Sequence, residues 1–213
     1  MAEIEGVIKF NLTFSETSAE ALKDDVDAFT LSSLSAWRSM LKDLGLLGQT
    51  PERYDGYGFG NVSLRQGKGF VISGTQTGVL DEVGLKDYAF CDTWDLSANA
   101  VSARGAVKPS SESLSHASVY DVHPEVQCAL HVHSPDIWHG ADALEVPVTD
   151  RNVAYGTPEM ASEVRRLISP MASPGIFSMG GHEDGIFTFG SSLEEAGLLM
   201  VATLAKAKLL KHI

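Results

Sequence analysis

Alternation of apolar and polar residues is clearest at the start of the chain, where Ile8, Phe10, Leu12 and Phe14 interleave with Lys9, Asn11 and Thr13. That period of two predicts a strand. Thr17-x-x-Glu20 has capping-box spacing, so a helical region should open there, with an interruption near residues 30–33. Leu34, Trp37, Leu41 and Leu44 then recur every three or four residues. One helix face should therefore be core, with Trp37 as packing and Gly45 or Gly48 as the stop. Residues 54–60 are rich in Gly and Tyr and read as a loop. Residues 61–65 and 69–73, on either side of Gln66-Gly67, have the signature of a β-hairpin.

Further strands are expected at 88–94 and 101–107, a helix at 111–120, a strand at 126–133 and a short helix at 135–143. Thr157 should cap a helix that buries Met160, Val164, Leu167 and Ile168. Residues 175–179 and 185–189 read as short strands around Gly180-Gly181-His182-Glu183-Asp184. Ser192-x-x-Glu195 should cap a last helix reaching about Leu210. No repeat or linker interrupts this order, so residues 1–213 are expected to form one domain. The class should be α/β, three layers around a mixed or antiparallel sheet.

Composition changes this picture little. The 44% apolar and 21% charged fractions are those of an ordinary globular protein. The formal net charge of −12 argues against nucleic acid and anionic membranes as partners, because their phosphates would be repelled. It also requires that any anionic substrate be held by local features. Cys91 and Cys128 lie in apolar stretches without a C-x-x-C and read as buried free thiols. The start Met-Ala-Glu-Ile-Glu shows no leader, and no apolar run is long enough to span a bilayer, so a cytoplasmic address is expected.

The chemistry concentrates between residues 109 and 135. His131 and His133 end an apolar strand, and residues two apart share a strand face, so both imidazoles can reach one point. Glu112 follows Ser110-Ser111 at a helix start, near free amides and the positive end of the helix dipole. A third metal ligand must come from elsewhere. His182, in its glycine-rich turn, is the leading candidate, and a surface turn residue is the alternative. His116 shares a helix face with Glu112 and should be packed beside the site or solvated. His123 and His139 read as loop or surface residues, and His212 lies at the terminus. Residues 73–78, Ser-Gly-Thr-Gln-Thr-Gly, form a small-residue loop that is either an anion cradle or a plain turn.

Gly60-Asn61-Val62-Ser63-x-Arg65, the glycine-rich loop after Val71-Ile72, Pro109-Ser110-Ser111-Glu112 with His116 and Tyr120, His131-x-His133 and the late Gly-His turn occur here in one order. That order resembles the class II aldolase/adducin family over roughly residues 34–205. The resemblance implies a class II aldolase/adducin-like fold, a central mainly antiparallel sheet flanked by helices. It implies Zn2+ or another divalent metal on His131, His133 and His182, with Glu112 as ligand of the free metal or as acid/base. Asn61, Thr77, Gly78, Ser110 and Ser111 match phosphate-binding positions, with Ser73-Gly74 competing for the place of Thr77-Gly78. Tyr155 matches an aromatic lining the site. The implied function is metal-dependent aldol cleavage of a small, phosphorylated, sugar-like ketose by a homotetramer. Sugar-phosphate 4-epimerisation, dehydration, and a non-catalytic adducin-like interaction domain are the alternatives.

Overall fold

A computed structural model describes residues 7–212. The reading of residues 1–5 as free of a leader, and the terminal Ile213, lie outside those described. The eight strands are β1 (Asn11–Glu16), β2 (Asn61–Gln66), β3 (Gly69–Ser73), β4 (Tyr88–Asp95), β5 (Ala100–Gly105), β6 (Cys128–His133), β7 (Gly175–Ser178) and β8 (Gly185–Gly190). They form one sheet in the order β1-β5-β4-β3-β2-β6-β8-β7. Every neighbouring pair is antiparallel except β1 with β5, so the sheet is mixed and mainly antiparallel, as expected. The helices are α1 (Ala28–Asp43), α2 (Ser113–Val122), α3 (Pro135–Gly140), α4 (Pro158–Ile168) and α5 (Leu193–Leu210).

Strand alternation divides the core in two and makes the three layers. Phe70, Ile72, Ala129, Phe187 and Phe189 face α2 and α4, where Leu114, Ala117, Met160 and Val164 are buried. Val62, Val71, Leu130, Val132 and Ile186 face the other way, under Leu34 and Leu41 of α1, Ile137 of α3 and Met200 and Leu204 of α5. Trp37 packs on this second cluster, as its spacing implied. It does so across Gly197 of α5, where a Cβ would meet the indole at 2.1 Å. Cys91 and Cys128 are both buried and free.

Thr17-x-x-Glu20 does not start the long helix. The Thr17 amide donates to Gly105 O at 2.9 Å, prolonging the β1–β5 pairing, and residues 19–22 make only a single 3-10 turn. The helix begins after Asp27, whose carboxylate accepts from the amides of Phe29 and Thr30 at 3.0 and 2.9 Å. It continues through residues 30–33 without interruption. A side chain that satisfies two of the first free amides is a better start signal than spacing alone.

Candidate metal centre and anion cleft

Because Cys128, Leu130 and Val132 turn to the α5 side, the alternate residues Ala129, His131 and His133 turn to the α2 side. Asn61 and Ser63 of β2 lie on that same side, with Asn61 paired to His131 in register. The turn between β7 and β8 brings His182 to the end of β6. The ligand nitrogens of His131, His133 and His182 lie within 4.8 Å of one another, and all three side chains are buried. The turn can approach this closely only because of its glycines. A Cβ on Gly181 would fall 1.8 Å from Val153 O, and one on Gly185 would fall 2.6 Å from the His182 ring.

The donor set fits a divalent cation. The Nδ1 atom of His131 donates to Ile186 O at 3.2 Å, which leaves Nε2 as the lone-pair nitrogen. That Nε2 is buried and has no hydrogen-bond partner among the described residues. Nε2 of His133 faces Nε2 of His182 at 3.0 Å. Burial pulls the His131 imidazolium down to about 3. Burial, followed by the neighbouring imidazoles, lowers His133 and His182 well below their ordinary value. Metal ligation needs the neutral ring, and the site enforces it before any cation arrives.

Glu112 is the N-cap residue of α2, so the expected helix start is right, but its carboxylate makes no capping bond. Oε2 accepts instead from Ser115 Oγ at 2.8 Å, and the side chain is 1% exposed. The group whose geometry could hold a metal ion is the histidine trio without Glu112. His116, one turn on, is fully buried and works as an orienting bridge. Its Nε2 donates to Asn61 Oδ1 at 2.6 Å, so its Nδ1 accepts from Ser63 Oγ at 2.6 Å. Ser63 Oγ in turn accepts from the Tyr120 hydroxyl at 2.7 Å. With Oδ1 engaged, the Asn61 amide is left to present its NH2 to a ligand.

Asn61, Thr77, Gly78, Ser110 and Ser111 line one narrow polar cleft together with Gly74. Ser73 is not part of it, because its Oγ accepts from the Val62 amide within the sheet. Tyr155 is placed elsewhere. Its ring stands 4.3 Å from His182, with Lys9 Nζ 3.7 Å over its face. It lines a separate cavity of about 700 Å3 beside His182, shared with Arg53, Tyr54, Glu183 and Asp184.

The residues of that cavity's other wall were not singled out from sequence. The Tyr54 ring packs 4.6 Å from His133, and its hydroxyl donates to Asp184 Oδ2 at 2.7 Å while accepting from Arg53 at 2.8 Å. Burial and the Asp184 carboxylate push the Tyr54 phenol above its ordinary value. His123, read as a loop or surface residue, is buried. It stacks on Phe189 at 5.2 Å, with its Nε2 on Ile168 O at 3.1 Å. His139 is exposed as expected.

Comparison with known proteins agrees with this architecture. Residues 51–210 match the family model described as Class II Aldolase and Adducin N-terminal domain. Among solved structures, the L-fuculose-1-phosphate aldolase of Thermus thermophilus aligns at 20% identity over 85% of this chain and 92% of its own, with a TM-score of 0.63. The sugar-phosphate aldolase of Thermotoga maritima aligns at 13% identity over 86% and 94%, with a TM-score of 0.67. An aldolase II superfamily protein from Pseudomonas syringae aligns at 16% identity over 90% and 78%, with a TM-score of 0.62. At these identities the likeness is one of fold. No helix among the described residues is long and apolar enough to cross a membrane.

Proposed function

The chain belongs to the class II aldolase and adducin N-terminal domain family, and from that premise we propose that it is a metal-dependent, aldolase-like lyase acting on a small phosphorylated sugar-like ketose. The observation that carries the reading is the buried histidine trio. His131 Nε2 is held in the ligating tautomer near two further imidazoles, and His131 is the direct cross-strand partner of Asn61, which lines the polar cleft. A bound divalent cation, zinc in this reading, supplies Lewis acidity to a polarised carbonyl oxygen.

The chain's own residues do the rest. Asn61 NH2, the Gly78 amide and the hydroxyls of Ser110 and Ser111 hold the phosphate by hydrogen bonds, without a lysine cluster, while the Thr77 hydroxyl donates to Gly74 O and braces the loop that lines the cleft. The Glu112 carboxylate, steadied by Ser115 Oγ, moves the proton that carbon–carbon cleavage requires. Tyr155 and Tyr54 wall the cavity beside His182 and receive the remainder of the substrate. A homotetramer, as in the family resemblance, completes the proposal.

Purified protein should carry about one divalent metal per chain, and a sugar-phosphate screen should yield an aldehyde and a small keto product. Glu112→Gln should keep the metal and lose turnover on the order of a hundredfold. An epimerised or dehydrated product would select the alternative enzyme reading. Full metal content in His131→Ala and His182→Ala, with no turnover of any sugar phosphate, would leave the non-catalytic interaction domain.

A further inference from the structure

Arg38, on α1, is the largest of the fully buried side chains, at 1% exposure. It lies outside the histidine trio and outside the lining of either cavity. Among the described residues its guanidinium bonds only to main-chain carbonyls. NH2 donates to Thr77 O at 2.6 Å and NH1 to Leu80 O at 3.1 Å. Asp87 and Asp81 favour its charge through space and offset part of the burial, but neither carboxylate bonds to it: Asp81 pairs with Lys42 and Asp87 accepts from the Gly84 amide. A buried cation bonded to carbonyls alone is costly unless a negative charge reaches it. Lys42, one turn along α1, takes the intervening Val79 O at 2.9 Å, so one helix face holds the carbonyl side of this loop.

A trans peptide points its C=O and N–H in opposite directions. With Thr77 O held against Arg38, the N–H of the same peptide, that of Gly78, is turned away from the guanidinium. The Gly78 amide has no acceptor among the described residues, although the residue is buried. Thr77 and Gly78 are also among the loop residues that line the polar cleft. Gly78 is pinned from behind as well, since a Cβ there would fall 2.2 Å from Gly48 O.

We propose that Arg38 is a positioning residue for the anion of the substrate: it fixes the Thr77–Gly78 peptide with its N–H toward the cleft and supplies from below the positive charge that a chain of net charge −12 otherwise lacks there. This deepens the phosphate-binding reading above and rests on it. The guanidinium acts through one peptide plane and does not touch the ligand. A unit charge about 8 Å from a monoanion, at an effective dielectric constant of about 20, changes its affinity about thirtyfold, and that of a dianion by more.

The test is calorimetric titration of the full chain with inorganic phosphate, using wild type, R38M and R38K, each first checked for native circular dichroism. R38M should weaken phosphate tenfold or more. R38K keeps the charge without the two-pronged donor and should fall between. At one pH, R38M should lose more affinity for sulfate than for methanesulfonate, because a charge effect scales with ligand charge and a loosened loop weakens both alike. A folded R38M that binds phosphate as wild type does overturns the proposal, and equal losses for the two sulfur anions overturn its electrostatic part. Absence of phosphate binding to wild type overturns the phosphate reading itself, and this inference with it. Should neither variant fold, amide NMR of the wild type decides. A downfield shift of the Gly78 amide proton on adding phosphate supports the proposal, and an unmoved Gly78 resonance overturns it.

Discussion

Replacing His131 by Asn should make the metal-free protein less sensitive to acid and at the same time blind to zinc. Asn can place its amide NH2 where His131 Nδ1–H donates to Ile186 O, so the buried carbonyl keeps its partner. What disappears is the Nε2 lone pair and the titration. Burial holds the native imidazolium at about 3, against an ordinary 6.5 in the unfolded chain. The stabilisation from keeping this ring neutral is complete above pH 6.5. It is lost steadily as pH falls from 6.5 toward 3, because the unfolded chain takes up the proton first. At pH 5 the loss from this one residue is about 2 kcal/mol, or about 4–8 °C in Tm for a chain of this size. The assay is thermal melting in chelator at pH 7.5 and pH 5. The drop between the two should be smaller in His131→Asn by about that amount, while His116, His133 and His182 keep the remaining slope. Without chelator, zinc at about a thousand times its Kd should raise wild-type stability by about 4 kcal/mol and leave the variant unchanged. Equal pH drops in the two proteins would refute the claim that His131 is buried in its neutral form, and an undiminished zinc response would refute its role as ligand.

Gly181→Ala should cost about 1–3 kcal/mol and abolish zinc protection in thermal melts, since its Cβ would be forced against Val153 O at 1.8 Å. Ser63→Ala strands the Tyr120 hydroxyl and His116 Nδ1 in the core and should cost about 1–3 kcal/mol by urea titration. The same variant should weaken phosphate binding, because Asn61 loses its fixed orientation. Cys91 and Cys128 should resist alkylation at pH 8 until the chain unfolds, as burial raises both thiols, Cys128 to about 12.

Periodicity made the sheet legible, and with it the shared face of His131 and His133. His131-x-His133 is a period-two statement, and β6 alternates as it must once Leu130 and Val132 are buried on the opposite face. The caps Thr157 and Ser192 were equally readable, each accepting the amide three residues on. The loop carrying Tyr54 was readable as a loop, but the packing of Tyr54 on the site was not, because nothing in it repeats. Tyr54 and Asp55 both adopt positive φ, a conformation that composition does not announce. Its contact with Asp184 spans 130 residues. His123 lies in a loop, as read, but its burial was not legible for a similar reason: its partners, Phe189 and Ile168, come from distant elements that sequence spacing cannot bring together. The start of α1 was visible in principle, since Asp27 precedes a long amphipathic run, but the Thr17-x-x-Glu20 pattern competed with it. Pairing of Thr17 with Gly105 across the sheet decided against that pattern.

The separation of 49 residues between His133 and His182 gives the cation a place in time as well as in space. During synthesis the first two ligands emerge on β6 long before the third, and two imidazoles alone make a weak and exchangeable site. Tight capture must wait until the β7–β8 hairpin has been made and its turn has docked on the end of β6. A cation held by all three rings would act as a reversible crosslink across that interval, with its release coupled to undocking of the carboxy-terminal hairpin. On the proposed metal reading, metal content would report whether the last third of the chain has reached its register, and a chain stopped after α4 would carry a partly built sheet with a two-imidazole site.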